Sequence, residues 1–229
     1  MIQLLKQLTG CEAKRKKLLA SAADGPLKEF LSEPFPALNA TINDVDMLAV
    51  DFETTGLDPL NDKLLSVGSI ELNNGSIPLN TAYHKLIRTD EALRAENVII
   101  HQITDDAKDA GQALAEVVPE LLTHLKGKVM VAHFHRIEHS FLNQACQLLY
   151  GSPIVFPVID TLLIQKRYWD KRDIAYDPGQ LRLVNLREHY ELPTHKAHNA
   201  LTDALATAEL LLAQMSHFQT KTLGDIIAN

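Results

Sequence analysis

Apolar residues recur at helical spacing through residues 4–19, with the basic run Lys14-Arg15-Lys16-Lys17 toward one end, and this predicts an amphipathic helix. From Asp24 to Asp46, Gly25, Pro26, Pro34 and Pro36 interrupt regular structure, which leaves a short helix around 27–31 followed by a connector. The pattern then changes. Residues 47–52 form an apolar run of strand length, 63–72 a second that includes Val67 and Ile70, and Asn74-Gly75 predicts a tight turn into a third strand around 81–87. These three strands are expected to form an antiparallel meander. Helical periodicity follows at 112–125, a short apolar strand at 128–132 and a helix at 138–150. A strand at 155–159, helices at 161–169 and 181–190, and a last helix after Asn199 complete the series. An antiparallel start followed by alternating strands and helices predicts an α/β fold, a mixed sheet flanked by helices. We expect a helical N-terminal extension over residues 1–45 and one main domain over 46–229.

Composition narrows the possibilities. The 229 residues are 46% hydrophobic, enough for a sizeable core, and the formal net charge of -7 argues against coating nucleic acid through bulk charge. Any contact with phosphates has to be local. The two cysteines, Cys11 and Cys146, form no CxxC pair, so neither a disulfide framework nor a cysteine-based zinc site is suggested, and a reducing cytoplasm is the expected compartment. No uncharged apolar run is long enough to span a bilayer.

Two acidic positions stand out at the end of the first strand. Asp51 and Glu53 are two residues apart, so strand alternation sends both carboxylates to one face. Like charges there are costly unless a cation neutralises them, and hard oxygen ligands suit Mg²⁺ or Mn²⁺; an exposed acidic strand end is the alternative. A second group is His198-Asn199-Ala200-Leu201-Thr202-Asp203. Asn199 is a natural N-cap, which puts His198 in the preceding loop and Asp203 in the first turns of a helix. Taken alone, Asp203 could equally serve the helix N-terminus electrostatically, and His198 is one of 10 histidines.

The combination is more specific. Ala49-Val50-Asp51-Phe52-Glu53-Thr54-Thr55-Gly56-Leu57, together with His198 to Asp203, resembles the DEDDh 3′→5′ exonucleases, the DnaQ-like or polymerase III epsilon-like branch of the ribonuclease-H-like superfamily. His101-Gln102-Ile103-Thr104, Ala132-His133 and Ile159-Asp160-Thr161-Leu162 match further family segments, and the resemblance covers roughly residues 47–215. One position departs from the family: Glu138 stands where an aspartate is usual. Glutamate keeps the charge and both oxygens but adds a methylene, so it either remains a ligand or marks a degraded site.

The resemblance implies two divalent cations, Mg²⁺ or Mn²⁺, held by Asp51, Glu53, Glu138 and Asp203, with His198 as general base. The implied products are nucleoside 5′-monophosphates from a free 3′ end of single-stranded nucleic acid, DNA in preference to RNA. Thr54 and Thr55 would hold the terminal nucleotide, Leu57 would wedge against a base unless it is core, and Phe134 could stack on a base or be buried. Oligoribonucleotide trimming and a silent nucleic-acid-binding module are the alternatives. A protein partner could dock through the N-terminal extension. The histidines at 101, 133, 135, 139 and 195 lack the spacing of a zinc helix, so a zinc site is not expected. Lys166, Arg167, Lys171, Arg172 and Arg182 mingle with Tyr168, Trp169 and Tyr176, a mixture that suits single strands, whereas the basic run at 14–17 reads as a solvated helix face or a phosphate contact.

Overall fold

The computed structural model describes residues 2–89 and 109–228. In chain order the helices are α1 (Ile2–Ser21), α2 (Pro26–Ser32), α3 (Leu114–Leu125), α4 (Arg136–Tyr150), α5 (Thr161–Lys171), α6 (Leu183–His189) and α7 (Ala200–Phe218). The strands are β1 (Met47–Thr54), β2 (Leu64–Leu72), β3 (Tyr83–Leu86), β4 (Val129–Ala132) and β5 (Val158–Asp160). They make one sheet of order β3-β2-β1-β4-β5, in which β2 is antiparallel to both β1 and β3, β4 is parallel to β1, and β5 is parallel to β4. The expected mixed sheet and meander are both present. Asn74 and Gly75 each adopt positive φ in the turn, as their side chains permit.

Side-chain alternation along β1 divides the core into two layers. Leu48, Val50 and Phe52 face α2, α3 and α4, where Leu27, Phe30, Val118, Leu121, Phe141 and Leu142 are buried with them. Met47 and Ala49 point the other way, onto Ala208, Leu211 and Met215 of α7. Asp51 and Glu53 continue this second set, so their face is the α7 face. Leu27, Phe30 and Leu31 of α2, and Ile42 and Val45 after it, are core residues, so much of the stretch up to residue 45 is packed into the main body.

Several expected elements differ in extent. The third strand begins only at Tyr83 because 79–81 form a 3-10 turn, in which Thr81 N–H donates to Pro78 O and Thr81 Oγ1 accepts from Glu71 N–H. The fifth strand is Val158–Asp160 and not 155–159; Pro157 has no N–H for the ladder, although its carbonyl accepts from Met130. At 181–190 a 3-10 turn, Pro178–Leu181, comes first, and extended Arg182 separates it from α6. The His101–Thr104 segment lies outside the described residues. Among the described residues no helix is long and apolar enough to cross a membrane.

Candidate active site

The acidic end of β1 is covered by the start of α7. Asn199 caps that helix, its side-chain oxygen accepting from Thr202 N–H, as the sequence predicts. Close approach depends on Gly68. This residue pairs with Asp51 across the β1–β2 ladder, and a Cβ on it would fall inside the Ala200–Leu201 peptide. A side chain there would lift α7 from the sheet. With glycine in place, Asp51, Glu53 and Asp203 converge, and one oxygen from each lies within 4.8 Å of the others. Gly68 was not singled out in the sequence, although a glycine inside a strand is a signal of close backbone approach.

Glu138 arrives from the opposite layer, in the first turn of α4, and is 3% exposed. It is not one of the three converging carboxylates, but its charge acts on Asp51. Withdrawal from water raises the Asp51 carboxyl well above the ordinary aspartate value, with Glu138, Asp203 and Glu53 adding repulsion in that order. Burial likewise pushes Glu138 up to about 8, aided by the charge of Asp160 and opposed by hydrogen bonds from the backbone of Glu138 itself and of Phe52. Asp203 is raised by burial, against hydrogen bonds from His198 N–H and His195. Among the described residues, Glu138 Oε2 is buried without a hydrogen-bond partner. Three clustered carboxylates of hard oxygen donors, with the orphaned oxygen of a fourth, Glu138, buried in the neighbouring layer, fit a divalent cation.

The two histidines near Asp203 hold it differently. His198 adopts positive φ, 67°, and its backbone N–H donates to Asp203 Oδ2 at 2.8 Å. His195 Nε2 meets Asp203 Oδ1 at 2.9 Å. The sequence gives His195 no role beyond a zinc site that its spacing argues against, whereas the fold sets it on a carboxylate eight residues away. His135 likewise pairs with buried Asp160 at 2.7 Å, and His133 bridges Thr161 Oγ1 and the Leu181 carbonyl. Burial lowers the His133 pKa to about 4, as expected of a neutral internal strut.

The turn after β1 is tightly braced. Thr54 Oγ1 donates to the Gly56 carbonyl at 2.6 Å, and Thr55 Oγ1 donates to Asp62 Oδ1 at 3.1 Å while accepting from Lys63 N–H. Gly56 is needed because a Cβ would strike the Asp62 carboxylate. Leu57 is 77% exposed and Phe134 45% exposed, so neither is a core residue. Phe134 has a φ of 67°, and its N–H and that of His135 both donate to Asp160. The aromatic and basic residues of α5 are largely engaged internally. Lys166 pairs with Asp170, Arg167 donates to the Ile227 carbonyl, Arg172 covers the Tyr168 ring and Trp169 is buried.

Known proteins resemble this chain over most of its length. The family RNase_T, described as exonuclease, matches residues 48–211. A PolC-type DNA polymerase III of Thermotoga maritima is 30% identical over 174 residues, which is 76% of this chain and 12% of that protein. The DNA polymerase III epsilon subunit of Treponema pallidum is 30% identical over 177 residues, 76% of this chain and 78% of that protein. Among solved structures, exonuclease X in complex with 5′ overhanging duplex DNA superposes with a TM-score of 0.61 at 21% identity, covering 79% of this chain and 97% of that one. The chain thus corresponds to a small part of the PolC-type polymerase and to most of the epsilon subunit.

Proposed function

Since this chain belongs to the RNase_T exonuclease family, we propose that it is a 3′→5′ exonuclease that releases nucleoside 5′-monophosphates from single-stranded ends, DNA in preference to RNA. The observation that carries this reading is the convergence of Asp51, Glu53 and Asp203 beside the buried, unpartnered Oε2 of Glu138. These four side chains would hold two divalent cations, Mg²⁺ or Mn²⁺. Such ions, when bound, acidify a water and neutralise charge on the departing 3′ oxygen.

The chain's own residues supply the rest. His198 takes the proton of the attacking water, the general-base role that a positioned imidazole commonly fills. Its backbone bond to Asp203 ties the loop that carries it to the carboxylate cluster. His195 steadies Asp203 from the other oxygen, as outer partners of metal ligands do. Thr54 and Thr55, braced by Gly56 and Asp62, hold the terminal nucleotide. Exposed Leu57 wedges against the last base and Phe134 stacks on a neighbouring one. The preference for DNA rests on relatives named as DNA polymerase subunits.

The test is incubation of 5′-labelled single-stranded DNA and RNA oligomers with Mg²⁺, Mn²⁺ or EDTA. A ladder shortening from the 3′ end, lost in EDTA and faster on DNA, is expected. His198→Ala should lower turnover about 10²- to 10⁴-fold with little change in binding of an oligonucleotide end. Absence of cleavage with either metal on both substrates would overturn the reading.

A further inference from the structure

The residue proposed as general base lies on a segment that the hydrophobic core hardly holds. From Glu191 to Asn199 no residue is buried, and of its apolar side chains Leu192 alone packs against a core cluster, that of Leu186 and Leu210. A loop with so few apolar contacts opens readily unless polar bonds fix it. Here they do so along its whole course. The segment runs back along α7 toward the start of that helix: the Pro193 carbonyl accepts from Arg187, the Lys196 carbonyl accepts from Thr202 Oγ1 at 2.7 Å, and His195 Nε2 and His198 N–H meet the two oxygens of Asp203.

Arg187 is the anchor furthest from the carboxylates. It belongs to α6 and is 3% exposed. Its Nη1 donates to the Ala206 carbonyl at 2.7 Å, while Nη2 donates to the Pro193 carbonyl at 2.8 Å and pairs with Glu209 Oε2 at 2.7 Å. One planar group thus joins α6, the loop, and the second and third turns of α7. Ala206 lies about one turn beyond Asp203, so the guanidinium ties the loop to the same stretch of helix that carries the carboxylate. The ion pair with Glu209 by itself would only bind α6 to α7. The bond to the Pro193 carbonyl, two residues before His195, is the one that sets the loop, and it needs the fork of an arginine, because a single ammonium nitrogen cannot repeat that geometry.

We infer that Arg187 is a positioning residue for His198: it holds residues 193–199 against α7 and so keeps His198 beside Asp203. It touches no substrate and acts through the loop. This inference rests on the exonuclease reading for its kinetic consequence, but the closure of the loop is measured without any reaction.

The experiment compares three variants with the parent. Arg187→Lys keeps a charge beside Glu209 and gives up the fork, whereas Glu209→Gln removes the ion pair and leaves both carbonyl bonds in place. Thr202→Val cuts the tie to the Lys196 carbonyl from a half-buried position, and decides the matter should Arg187→Lys fail to fold. Amide exchange is followed by NMR in EDTA, and cleavage of 5′-labelled single-stranded DNA in Mg²⁺ gives kcat and KM. In Arg187→Lys the His198 amide should exchange about tenfold faster, the factor for about one lost hydrogen bond, while amides of the β1–β2 ladder keep their protection. Its kcat should fall about 10- to 100-fold with KM unchanged, the sign of a displaced group and not of lost binding. Thr202→Val should show the same pattern more weakly. Glu209→Gln should melt lower and keep the parent's His198 exchange and kcat. Faster exchange spread evenly over the molecule, an unchanged kcat despite faster His198 exchange, or an equal loss of kcat in Glu209→Gln would each overturn the inference. The expected exchange pattern in a parent that cleaves nothing would leave the anchor standing and remove the exonuclease reading.

Discussion

Asp160 and Glu138 are buried carboxylates a few residues from the same sheet edge, yet their surroundings treat them in opposite ways. Asp160 is 1% exposed, and burial alone would raise its pKa; hydrogen bonds from the His135 side chain and backbone and from Leu163 N–H instead hold it below the ordinary aspartate value. It also accepts from Phe134 N–H and Leu162 N–H. Glu138 is as deeply buried, has an oxygen with no partner among the described residues, and is pushed up to about 8. A carboxylate whose lone pairs are all met by donors of the fold is a joint. One left partly unmet is costly unless something else supplies positive charge, the property that the proposed role as a metal ligand requires.

The largest expected effect tests the unmet side of this contrast. Asp51→Asn or Asp203→Asn should remove cleavage to the limit of detection while leaving the metal-free melting temperature equal to the parent's or higher, because each relieves repulsion within the cluster. Full activity at saturating Mg²⁺ in either variant would show that the carboxylates are not the reacting centre.

Glu138→Gln should cost about 10- to 100-fold in activity or metal affinity, the range for groups around a metal, and Glu138→Asp should retain part of what the amide loses. Gain of activity on Glu138→Asp from an inactive parent would mean that the longer side chain spoils the site. Asp160→Asn should do the reverse. It replaces a charge-assisted acceptor by one that offers an N–H₂ to backbone donors, and should cost about 2–3 kcal/mol of stability, read by denaturant unfolding. If the two variants exchanged these signatures, the distinction between joint and ligand would fail.

The smallest effect is a slope. A raised pKa means that the folded state holds a proton which the unfolded state has released, so Glu138 favours folding least above its folded pKa. Without metal, its contribution should weaken as pH rises from about 4.5 to about 8 and then level off. Asp160, with its lowered pKa, acts only below that window, losing its contribution as pH falls through its folded value. A melting temperature measured in EDTA between pH 5 and pH 8 should decline in the parent, decline less in Glu138→Gln, and be restored by Mn²⁺. A decline equally steep in Glu138→Gln would assign the slope to other groups.

By itself the sequence determined most of the architecture and pointed to the residues proposed to carry the chemistry. Hydrophobic alternation in β1 is a local property of a strand, so the common face of Asp51 and Glu53 follows from their spacing alone. Asn199 as a cap, and the turn at Asn74-Gly75, are equally local, because one or two side chains suffice to make them. What no local pattern carried was distance. That α7 rests on β2 through Gly68, that His195 lies on Asp203, and that Asp160 gathers donors from both the 134–135 loop and the start of α5 depends on elements far apart in sequence packing together. The same holds for the basic run on α1. Only the packing of that helix on α2 and the adjoining core separates Arg15, drawn inside to the Leu31 carbonyl, from Lys14 and Lys17, left on the surface, because a helix presents its residues at fixed angles but its neighbours decide which of those angles is buried.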